Sequence, residues 1–487
     1  MRNNAAIVLL LLFALPLAYA QACGPISKSI TLDSDMQCPG SALTIGSDNI
    51  TIDCNGHIIK YAASEMGHAI SASAVKGITV ENCILLEASD LPDATAISLS
   101  DVGSSSVINN TISTSGIESD AIFVEMVFNT TIISNNIHVT NATGIAASSP
   151  FFLNIENNTI NASAAYRGGI SILFGGVVSL VSNRIDVHDN YGFGIILMNL
   201  TSASLADSDN PATVRYFNLS RVANNNISMD GDNSIGVFIS SDLSVEAIGN
   251  TIQMNGPNSV GLFAESIAEH TFESNSISVS GNFSNGISLK SSNYSVIRNN
   301  DVITFGESSY GVSSVSGIGN IFRGNNVRSM AAEPSLMLAK GSLSELFEGN
   351  DLSNINNIDS GFSMTIINPT DVKLIGNRLC KISIYKGNAT LLGNTFISNV
   401  PKVVTLNVTG LVLSNDSVGN DWGRKTAPFF VRGEDVDDER FADTYSPSVS
   451  QPNQGSQVII GLAIIVALVL GWILYKRWIL YKQKIRQ

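Results

Sequence analysis

The chain has 487 residues, of which 44% are hydrophobic and only 14% are charged, so it holds ample apolar material for a large core. The net charge is −14, although the last twelve residues alone carry +5. An acidic body of this kind repels phosphate backbones, which excludes nucleic acid as an expected partner and favours a soluble surface domain.

The N-terminus has the pattern of a secretory signal peptide. Arg2 precedes an uncharged apolar run over residues 5–15, and the small-x-small sequence at 18–20 is typical of a cleavage site. The alternative is an uncleaved anchor, which the shortness of the run disfavours. We therefore expect residues 1–20 to be removed during export.

Five cysteines follow, and an exported chain permits disulfides. Cys54 and Cys83 are 29 residues apart, about one repeat of the pattern described next, so neighbouring coils of a solenoid could bring them together. Cys23 and Cys38 would then close the entrance of the solenoid. Four cysteines allow three pairings. Cys380 is left over and is predicted to be a buried free thiol.

A short phrase, Asn-x-Ile/Val/Leu, recurs along most of the chain. From Asn225 to Asn350 the step is 25 residues each time. A second phrase, a small residue followed by an aliphatic one, keeps the same period, as at Gly236-Val237 and Gly261-Leu262. Two sequence motifs that recur with the same period predict a solenoid. The first phrase begins at Asn82, Asn110, Asn135, Asn158, Asn183, Asn225, Asn250, Asn275, Asn300, Asn325, Asn350, Asn377 and Asn394.

The residues between these phrases predict which solenoid forms. They alternate apolar and polar side chains and are rich in Val, Ile and Ser, as strands are. We predict an all-β, right-handed parallel β-helix over residues 44–420, with about fifteen coils stacked at about 4.8 Å and a cap over 21–43. The asparagines would form a ladder at one corner. A leucine-rich repeat is the alternative, but it requires Leu at fixed sites where this chain has Ile and Val.

The repeat spacing is interrupted between Asn183 and Asn225, where the step is 42 residues. The extra segment lies near residues 199–221, and excursions of this kind often carry the binding face of a solenoid. Its candidate binding residues combine two carboxylates, a guanidinium and a phenol, a set suited to sugar hydroxyls or calcium. These are Asp207, Asp209, Arg215 and Tyr216. The alternative is a tolerated insertion with no role.

Fourteen Asn-x-Ser/Thr sequons also fit an exported protein. Some of them coincide with the asparagine corner, where a glycan would not fit if the amide points inward. The candidates outside the ladder are Asn199 and Asn218.

The composition changes after Trp422. Residues 421–456 are predicted to form a C-terminal cap and an acidic, polar linker. Residues 458–475 then give 18 positions without a charge, enough to cross about 30 Å of hydrocarbon, so we predict a transmembrane helix over 457–475. The basic tail, 476–487, would remain cytoplasmic and residues 21–456 extracellular, in a single-pass membrane protein.

Both ends of the repeat region resemble a known group. The sequence CPGSALTIGSDNITIDCNGHII, residues 38–59, is similar to the start of archaeal-type surface β-helix proteins of the pectin-lyase-like group. The sequences GNDWG and DTYSP, at 419–423 and 443–447, resemble the end of NosD-like domains in the carbohydrate-binding and sugar-hydrolase repeat group. The resemblance implies the β-helix architecture. It implies little about function, because this fold carries lyases, hydrolases, adhesins and spacers.

Catalytic and metal-binding signatures of such families are missing from the sequence. The five histidines are dispersed, and the only Asp-Asp pair, Asp437-Asp438, lies in the linker beyond the coils. We therefore expect no catalytic residue, no metal site and no cofactor, with calcium the one ion that the insert would suit. The predicted function is a non-catalytic cell-surface protein for adhesion, glycan binding or envelope structure, with cell-surface glycans or envelope proteins as partners. The alternative is a membrane-tethered polysaccharide lyase or glycoside hydrolase.

Overall fold

A computed structural model describes residues 22–163, 167–201, 203–206, 214–217, 219–241, 244–265, 268–331, 334–355, 361–397, 403–413, 419–421 and 431–432. They all belong to one unit of the chain, residues 1–445; a second unit, 446–487, lies outside the described residues. The expected signal peptide, transmembrane helix and basic tail also lie outside them. Within the described part of the chain, no helix has the length and apolar character needed to cross a membrane.

The regular structure consists of short strands that recur in groups of three. In chain order they are β1 (Gly24–Ile26), β2 (Ile30–Thr31), β3 (Met36–Gln37), β4 (Leu43–Ile45), β5 (Thr51–Asp53), β6 (Ile58–Tyr61), β7 (Ile70–Ser73), β8 (Thr79–Glu81), β9 (Ile84–Glu87), β10 (Ile97–Ser100), β11 (Ser106–Ile108), β12 (Thr111–Thr114), β13 (Ile122–Glu125), β14 (Thr130–Ile133), β15 (Asn136–Thr140), β16 (Ile145–Ser148), β17 (Phe152–Glu156), β18 (Thr159–Ser163), β19 (Gly168–Leu173), β20 (Val177–Val181), β21 (Arg184–His188), β22 (Phe193–Met198), β23 (Ala203–Ala206), β24 (Val214–Phe217), β25 (Leu219–Ala223), β26 (Asn226–Met229), β27 (Ile235–Ser240), β28 (Ser244–Ile248), β29 (Thr251–Met254), β30 (Val260–Glu265), β31 (Thr271–Glu273), β32 (Ser276–Val279), β33 (Asn285–Lys290), β34 (Val296–Arg298), β35 (Asp301–Thr304), β36 (Tyr310–Val315), β37 (Ile321–Arg323), β38 (Asn326–Ser329), β39 (Ser335–Lys340), β40 (Leu346–Glu348), β41 (Asp351–Ile355), β42 (Phe362–Ile367), β43 (Val372–Ile375), β44 (Arg378–Leu379), β45 (Ile382–Leu392), β46 (Thr395–Phe396), β47 (Val403–Val412) and β48 (Val431–Arg432).

Each coil contributes one strand to each of three parallel sheets, which makes the described fold a right-handed parallel β-helix. The first sheet begins with β1, β4 and β7, and the second with β2, β5 and β8. The third is a separate 15-stranded sheet from β3 to β46. We call the turns from first to second, second to third and third to first sheet the first, second and third corners. The fold prediction is confirmed to this extent.

Alternation along the strands places the core. In β10 the buried residues Ile97 and Leu99 alternate with the half-buried Ser98 and Ser100, because successive side chains point to opposite faces of a strand. Parallel pairing aligns Ile97 with Ile122 of the next coil, so equivalent residues form inward aliphatic columns. One apolar cluster follows from this, running from the first coils to Leu413.

The second corner carries an unbroken ladder of thirteen buried asparagines. Each side-chain Nδ2 donates to Oδ1 of the next asparagine at 2.9–3.0 Å. That same Oδ1 also accepts the backbone N–H of the preceding ladder residue, as Asn275 Oδ1 does from Asn250 at 3.0 Å. The members are Asn110, Asn135, Asn158, Asn183, Asn225, Asn250, Asn275, Asn300, Asn325, Asn350, Asn377, Asn394 and Asn420. None of them heads a sequon, so the expected overlap of sequons with this ladder was wrong.

Asn82 does not belong to the ladder, although its sequence phrase resembles the others. Its φ is 54°, and its side chain accepts from Nδ2 of the exposed Asn109 at 2.8 Å, one position before the ladder. The ladder position of that coil is Cys83, whose backbone N–H donates to Asn110 Oδ1 at 2.9 Å. The phrase ENCI places its asparagine one residue early, and periodicity alone could not distinguish the two registers.

The structure contains two disulfide bonds in the first coils. Cys54 and Cys83 are bonded across adjacent coils at the second corner, and Cys23 is bonded to Cys38. Cys380 is buried, its Sγ donates to the carbonyl oxygen of Ser353 at 3.2 Å, and burial raises its pKa to about 11.

The coils change shape towards the C-terminal end. β45 and β47 have 11 and 10 residues, and β45 pairs with both β42 of the first sheet and β43 of the second. The first corner is therefore replaced by continuous strand here, which joins the first and second sheets into one hydrogen-bonded system of 31 strands.

Candidate binding surface

The insert found in the sequence leaves the solenoid at the first corner. Its described backbone forms a hairpin in which β23 pairs antiparallel with β24. The hairpin follows Asn199 and Thr201, and β25 then resumes the second sheet in register with β20. The solenoid thus continues unbroken beneath the excursion.

The predicted binding residues of the insert are only partly placed. Asp207 and Asp209 lie outside the described residues. Arg215 and Tyr216 lie on β24, where they pair with Leu205 and Ser204 of β23. Of the two sequon candidates, Asn199 is exposed at the root of the hairpin, and Asn218 lies outside the described residues. The proposed set therefore stays a prediction.

Exposed apolar side chains cluster on the same corner, on the three coils that precede the hairpin. Met126 is 55% exposed, Phe128 41% and Phe174 61%. Phe151 and Phe152 are half-buried between them. We call these five residues the aromatic corner. The hairpin root is hydrogen-bonded directly to it, because Thr201 N–H donates to the carbonyl oxygen of Gly175 at 2.8 Å.

Three rings of the aromatic corner, those of Phe128, Phe151 and Phe152, pack on one another. The ring centroid of Phe128 lies 5.7 Å from that of Phe151, with the rings stacked, and 5.8 Å from that of Phe152, edge to face. Phe151 and Phe152 meet edge to face at 5.1 Å. Mutual packing of this kind holds the rings in fixed orientations while leaving apolar surface open to solvent.

The outer face of the first sheet continues this apolar surface. In register, Phe123, Ala146, Ser171, Ile196, Phe238 and Phe263 form one outward row. The rings of Phe238 and Phe263 lie 5.5 Å apart. In the coils beyond Phe263 the row continues as Ser288 and Ser313, whose hydroxyls are hydrogen-bonded at 2.9 Å. Two serines therefore interrupt the apolar residues of this row before Leu338, the next residue in register.

Ionisable groups border the other edge of this face, at the third corner. Arg167 Nη2 lies 2.5 Å from Glu118 Oε1 on a different coil. Burial raises the pKa of Asp120 to about 6, although the N–H of Thr143 and the charge of Arg167 act to lower it, and Asp93 adds a repulsive charge. A carboxyl group of this pKa exchanges protons near neutral pH, as a general acid or base must.

Glu87 is the neighbouring carboxylate on the preceding coils. Burial raises its pKa, and its Oε2 accepts N–H bonds from Ser115 at 2.8 Å and Gly116 at 3.0 Å. These bonds fold the turn after β12, which is a structural use of the carboxylate. Among the described residues, no group of three or more His, Cys, Asp or Glu side chains is placed to hold a metal ion.

The three parallel sheets and their corners agree with one family description. Residues 43–209 match the model described as "Right handed beta helix region". This part of the chain is a right-handed β-helix. The matched β-helix region extends from the first coils to the hairpin of the insert, and the same coil geometry continues beyond it to β46.

Several solved structures are similar to this β-helix at low identity. The Vag8 chain of the Vag8–C1 inhibitor complex has a TM-score of 0.44 and 11% identity, covering 85% of this chain and 99% of that one. A point mutant of the periplasmic alginate epimerase AlgG has a TM-score of 0.32 and 11% identity over 76% and 77%. DFA-IIIase from Arthrobacter chlorophenolicus A6 has 0.32 and 12% over 69% and 84%. No curated protein matches the sequence. Similarities this low carry no information about function.

Sequence reasoning identified the insert but missed the aromatic corner beside it. Met126, Phe128 and Phe174 lie on different coils, and each looks like one more apolar residue in an apolar-rich repeat. The available signal was the run SPFF at 149–152, where two aromatics fall next to a proline.

Proposed function

We propose that this protein is a non-catalytic, membrane-anchored extracellular β-helix protein that binds glycans at the aromatic corner. The observation that carries the proposal is the grouping of five large apolar side chains on successive turns of one corner. Elsewhere the described corners are built mainly of Ser, Asn and Gly. Aromatic ring faces suit the C–H faces of sugars, and serine and threonine hydroxyls nearby suit sugar hydroxyls.

The shape of the surface supports a polymer rather than a small molecule. The aromatic corner spans three coils, about 10 Å along the stack at 4.8 Å per coil, and the apolar row of the first sheet adjoins it. Such an open face offers stacking positions in series and no enclosed pocket. An extended chain with several sugar units fits this geometry better than a single sugar does.

The test compares two matched phenylalanines. Phe174 and Phe283 both have φ of 55° and are 61% and 63% exposed, but only Phe174 belongs to the aromatic corner. Asparagine tolerates this backbone conformation, so Phe174→Asn and Phe283→Asn should both fold. In detergent, the full chain would be titrated with xylan, laminarin and chitin oligomers and screened on a glycan array. We expect Phe174→Asn to raise Kd about tenfold for the bound glycan, and Phe283→Asn to leave it unchanged.

Two outcomes would contradict the proposal. The first is the absence of binding to every glycan by the unaltered chain. The second is an equal loss of affinity in both variants, because a general effect of removing surface aromatic rings would then explain the result.

One observation favours a second candidate, a polysaccharide lyase or hydrolase. Asp120, with its pKa of about 6, has the charge of Arg167 acting on it beside the same face of the first sheet. A carboxyl that titrates near neutral pH beside a guanidinium could move a proton while the cation stabilises developing negative charge. The test is turnover of the same polysaccharides by the full chain. Products that appear with the unaltered chain and vanish with Asp120→Asn, while glycan binding persists, would replace the non-catalytic proposal.

A further inference from the structure

Two exposed aromatic rings outside the aromatic corner lie next to sequon asparagines. Phe283, 63% exposed, is the middle residue of Asn282-Phe-Ser. Tyr294, 62% exposed, is the middle residue of Asn293-Tyr-Ser. Both sequons belong to one coil and flank its first-sheet strand β33. The outward residues of that strand are polar, namely Asn285, Ser288 and Lys290, so the two rings are the large apolar groups beside these sequons.

The Tyr294 ring is held at one edge. A Cβ atom placed on Gly319, in the next coil, would lie 2.8 Å from Cδ1 and Cε1 of Tyr294, so this edge of the ring packs against Gly319. Gly319 has φ of +64°, which further favours glycine at this point. Most of the Tyr294 side chain, 62%, remains exposed to solvent.

The amide of Asn282 is oriented for substitution at nitrogen. Its Oδ1 accepts the backbone N–H of Glu307 in the next coil at 2.9 Å, and Asn282 itself is exposed. This bond fixes the carbonyl end of the amide against the protein and turns Nδ2 away from the acceptor site. Ladder asparagines differ in that both ends of each amide are bonded inside the solenoid, as at Asn275.

From these contacts we propose that Asn282 and Asn293 carry N-linked glycans whose first sugars pack on Phe283 and Tyr294. In the reaction, the amide Nδ2 forms a bond to the anomeric carbon of an oligosaccharide supplied as a polyprenyl-phosphate-linked donor. The phosphate leaves with the bonding electron pair, and the nitrogen loses one proton, so no oxidant or reductant takes part. The proposal depends on export of the chain and not on the aromatic corner.

The hydroxyls of the two sequons determine whether glycan transfer comes before or after folding of the coil. Ser284 Oγ and Ser295 Oγ accept backbone N–H bonds from Ser259 at 3.0 Å and His270 at 3.3 Å, and both serines are fully buried. The Asn-x-Ser motif includes this hydroxyl, which an enzyme cannot reach once the coil has formed. Transfer must therefore precede folding of this coil. The folded, unmodified chain should be inert to the transferase, and the unfolded chain should accept the glycan.

Peptide mass spectrometry of the full chain from its native cells tests the sites. We expect glycan mass on the peptides with Asn282 and Asn293, and none on those with Asn275 and Asn300, the ladder asparagines nearest to them. An unmodified asparagine at either sequon overturns the assignment for that position.

A second measurement tests the packing on the rings. The difference in Tm between glycosylated and enzymatically deglycosylated chain should shrink in Phe283→Ser and Tyr294→Ser, which keep both sequons. Phe305→Ser is the matched control, because Phe305 is 46% exposed on the next coil but belongs to no sequon. An unchanged Tm difference in all three variants would overturn the packing.

Because Asn129 and Asn199 adjoin the aromatic corner, glycan binding is best measured on the deglycosylated chain, which keeps the two proposals independent.

Discussion

Glu345 is a fully buried carboxyl group at the first corner. Its Oε1 accepts from Asn320 Nδ2 at 2.9 Å and from Ser314 Oγ, while its Oε2 is buried without a partner among the described residues. Burial raises its pKa. The folded chain therefore holds this proton more tightly than the unfolded chain does, and the free energy of unfolding falls as pH rises above the ordinary pKa of glutamate.

Replacing Glu345 with Gln removes the charge and supplies a donor in the place of the proton. We expect Glu345→Gln to raise the free energy of unfolding by about 1–3 kcal/mol at pH 8 and to change it little at pH 4. Urea unfolding at the two pH values would measure this. Glu348→Gln is the control, since that carboxylate is on the outer face and pairs with Arg323. A gain in stability at pH 4 equal to that at pH 8 would contradict the assignment.

His270 is the opposite case on the same corner. It is 1% exposed, its Nδ1 accepts the N–H of Val245 at 2.9 Å, and its Nε2 is buried without a described partner. Burial lowers the pKa to about 4. The folded chain keeps the His270 ring neutral. On acidification, the imidazole of the unfolded chain is therefore protonated at a higher pH than that of the folded chain. The contribution of His270 to the free energy of unfolding is complete above about pH 6.5. It falls by about 3 kcal/mol as the pH is lowered towards 4.

The variant His270→Asn should lose this acid sensitivity. Asparagine occupies the equivalent position two coils further on, at Asn320, where its Oδ1 accepts the N–H of Ser295 at 2.9 Å. Unfolding free energy measured from pH 7 to pH 4.5 should decline less steeply than in the unaltered chain. The exposed His138→Gln serves as the control. Equal slopes in all three chains would show that His270 titrates normally.

These residue-scale features lay beyond sequence reasoning. A histidine or glutamate in a strand-rich repeat is ordinarily exposed, and the sequence does not reveal that His270 and Glu345 stand in a column otherwise filled by Ser295 and Asn320. The same holds for the aromatic corner. Which face a given Phe occupies depends on the register of each turn, which the apolar-polar alternation leaves ambiguous by one residue.

At the scale of the structural element, the asparagine ladder defines the second corner. Asn275→Ala would remove four bonds. The N–H of Asn250 and one of its two Nδ2 hydrogens would lose their acceptor, and the carbonyl of Ala247 would lose the Asn275 donor; the other Nδ2 hydrogen keeps its bond to the carbonyl oxygen of Val222. We expect a loss of about 3 kcal/mol in the free energy of unfolding. Asn299→Gly, at an exposed position with φ of 56°, should cost far less. Chemical denaturation of both variants measures the difference, and a loss in Asn275→Ala no larger than in Asn299→Gly would refute the role of the ladder.

This element was largely predictable. An amide can donate to and accept from its equivalent one coil away, so a ladder needs the same residue at every repeat, and the 25-residue period made it visible. Its beginning was not predictable. Cys83 occupies the ladder position of its coil. Asn420 extends the ladder 26 residues beyond Asn394, but the sequence there is Asn-Asp-Trp and does not match the phrase Asn-x-Ile/Val/Leu.

At the scale of the whole molecule, the solenoid is a stack in which each coil contacts its neighbours. Stability in such a stack is local, so a change in one coil affects nearby coils most. The disulfide between Cys54 and Cys83 offers a test. Cys54→Ala with Cys83→Ala should speed hydrogen exchange in β5, β8 and β11, and leave the amides of β29, β32 and β35 unchanged. Uniformly faster exchange along the chain would mean that the stack unfolds as one cooperative unit.

A matched pair of substitutions separates loss of the crosslink from loss of the corner. Cys83→Asn combined with Cys54→Ala would extend the ladder by one member, since the N–H of Cys83 already donates to Asn110 Oδ1. We expect this variant to exchange more slowly in β8 than the alanine pair does, because the amide restores hydrogen bonds at the corner. Equal exchange rates in the two variants would contradict this.

The ladder also has a direction. Twelve of the thirteen Nδ2 groups donate to the Oδ1 of the next asparagine towards the C-terminal end, so the Oδ1 atoms that accept these bonds all face the N-terminal end. Hydrogen bonds in such a chain polarise one another, which makes each bond stronger than it would be alone. The column ends in Asn420, whose Nδ2 donates to the carbonyl oxygens of Leu391 and Leu413. The second corner therefore carries a row of aligned amide dipoles whose positive end is at the last coil. An anionic group would be bound more favourably at that end than at the first coil.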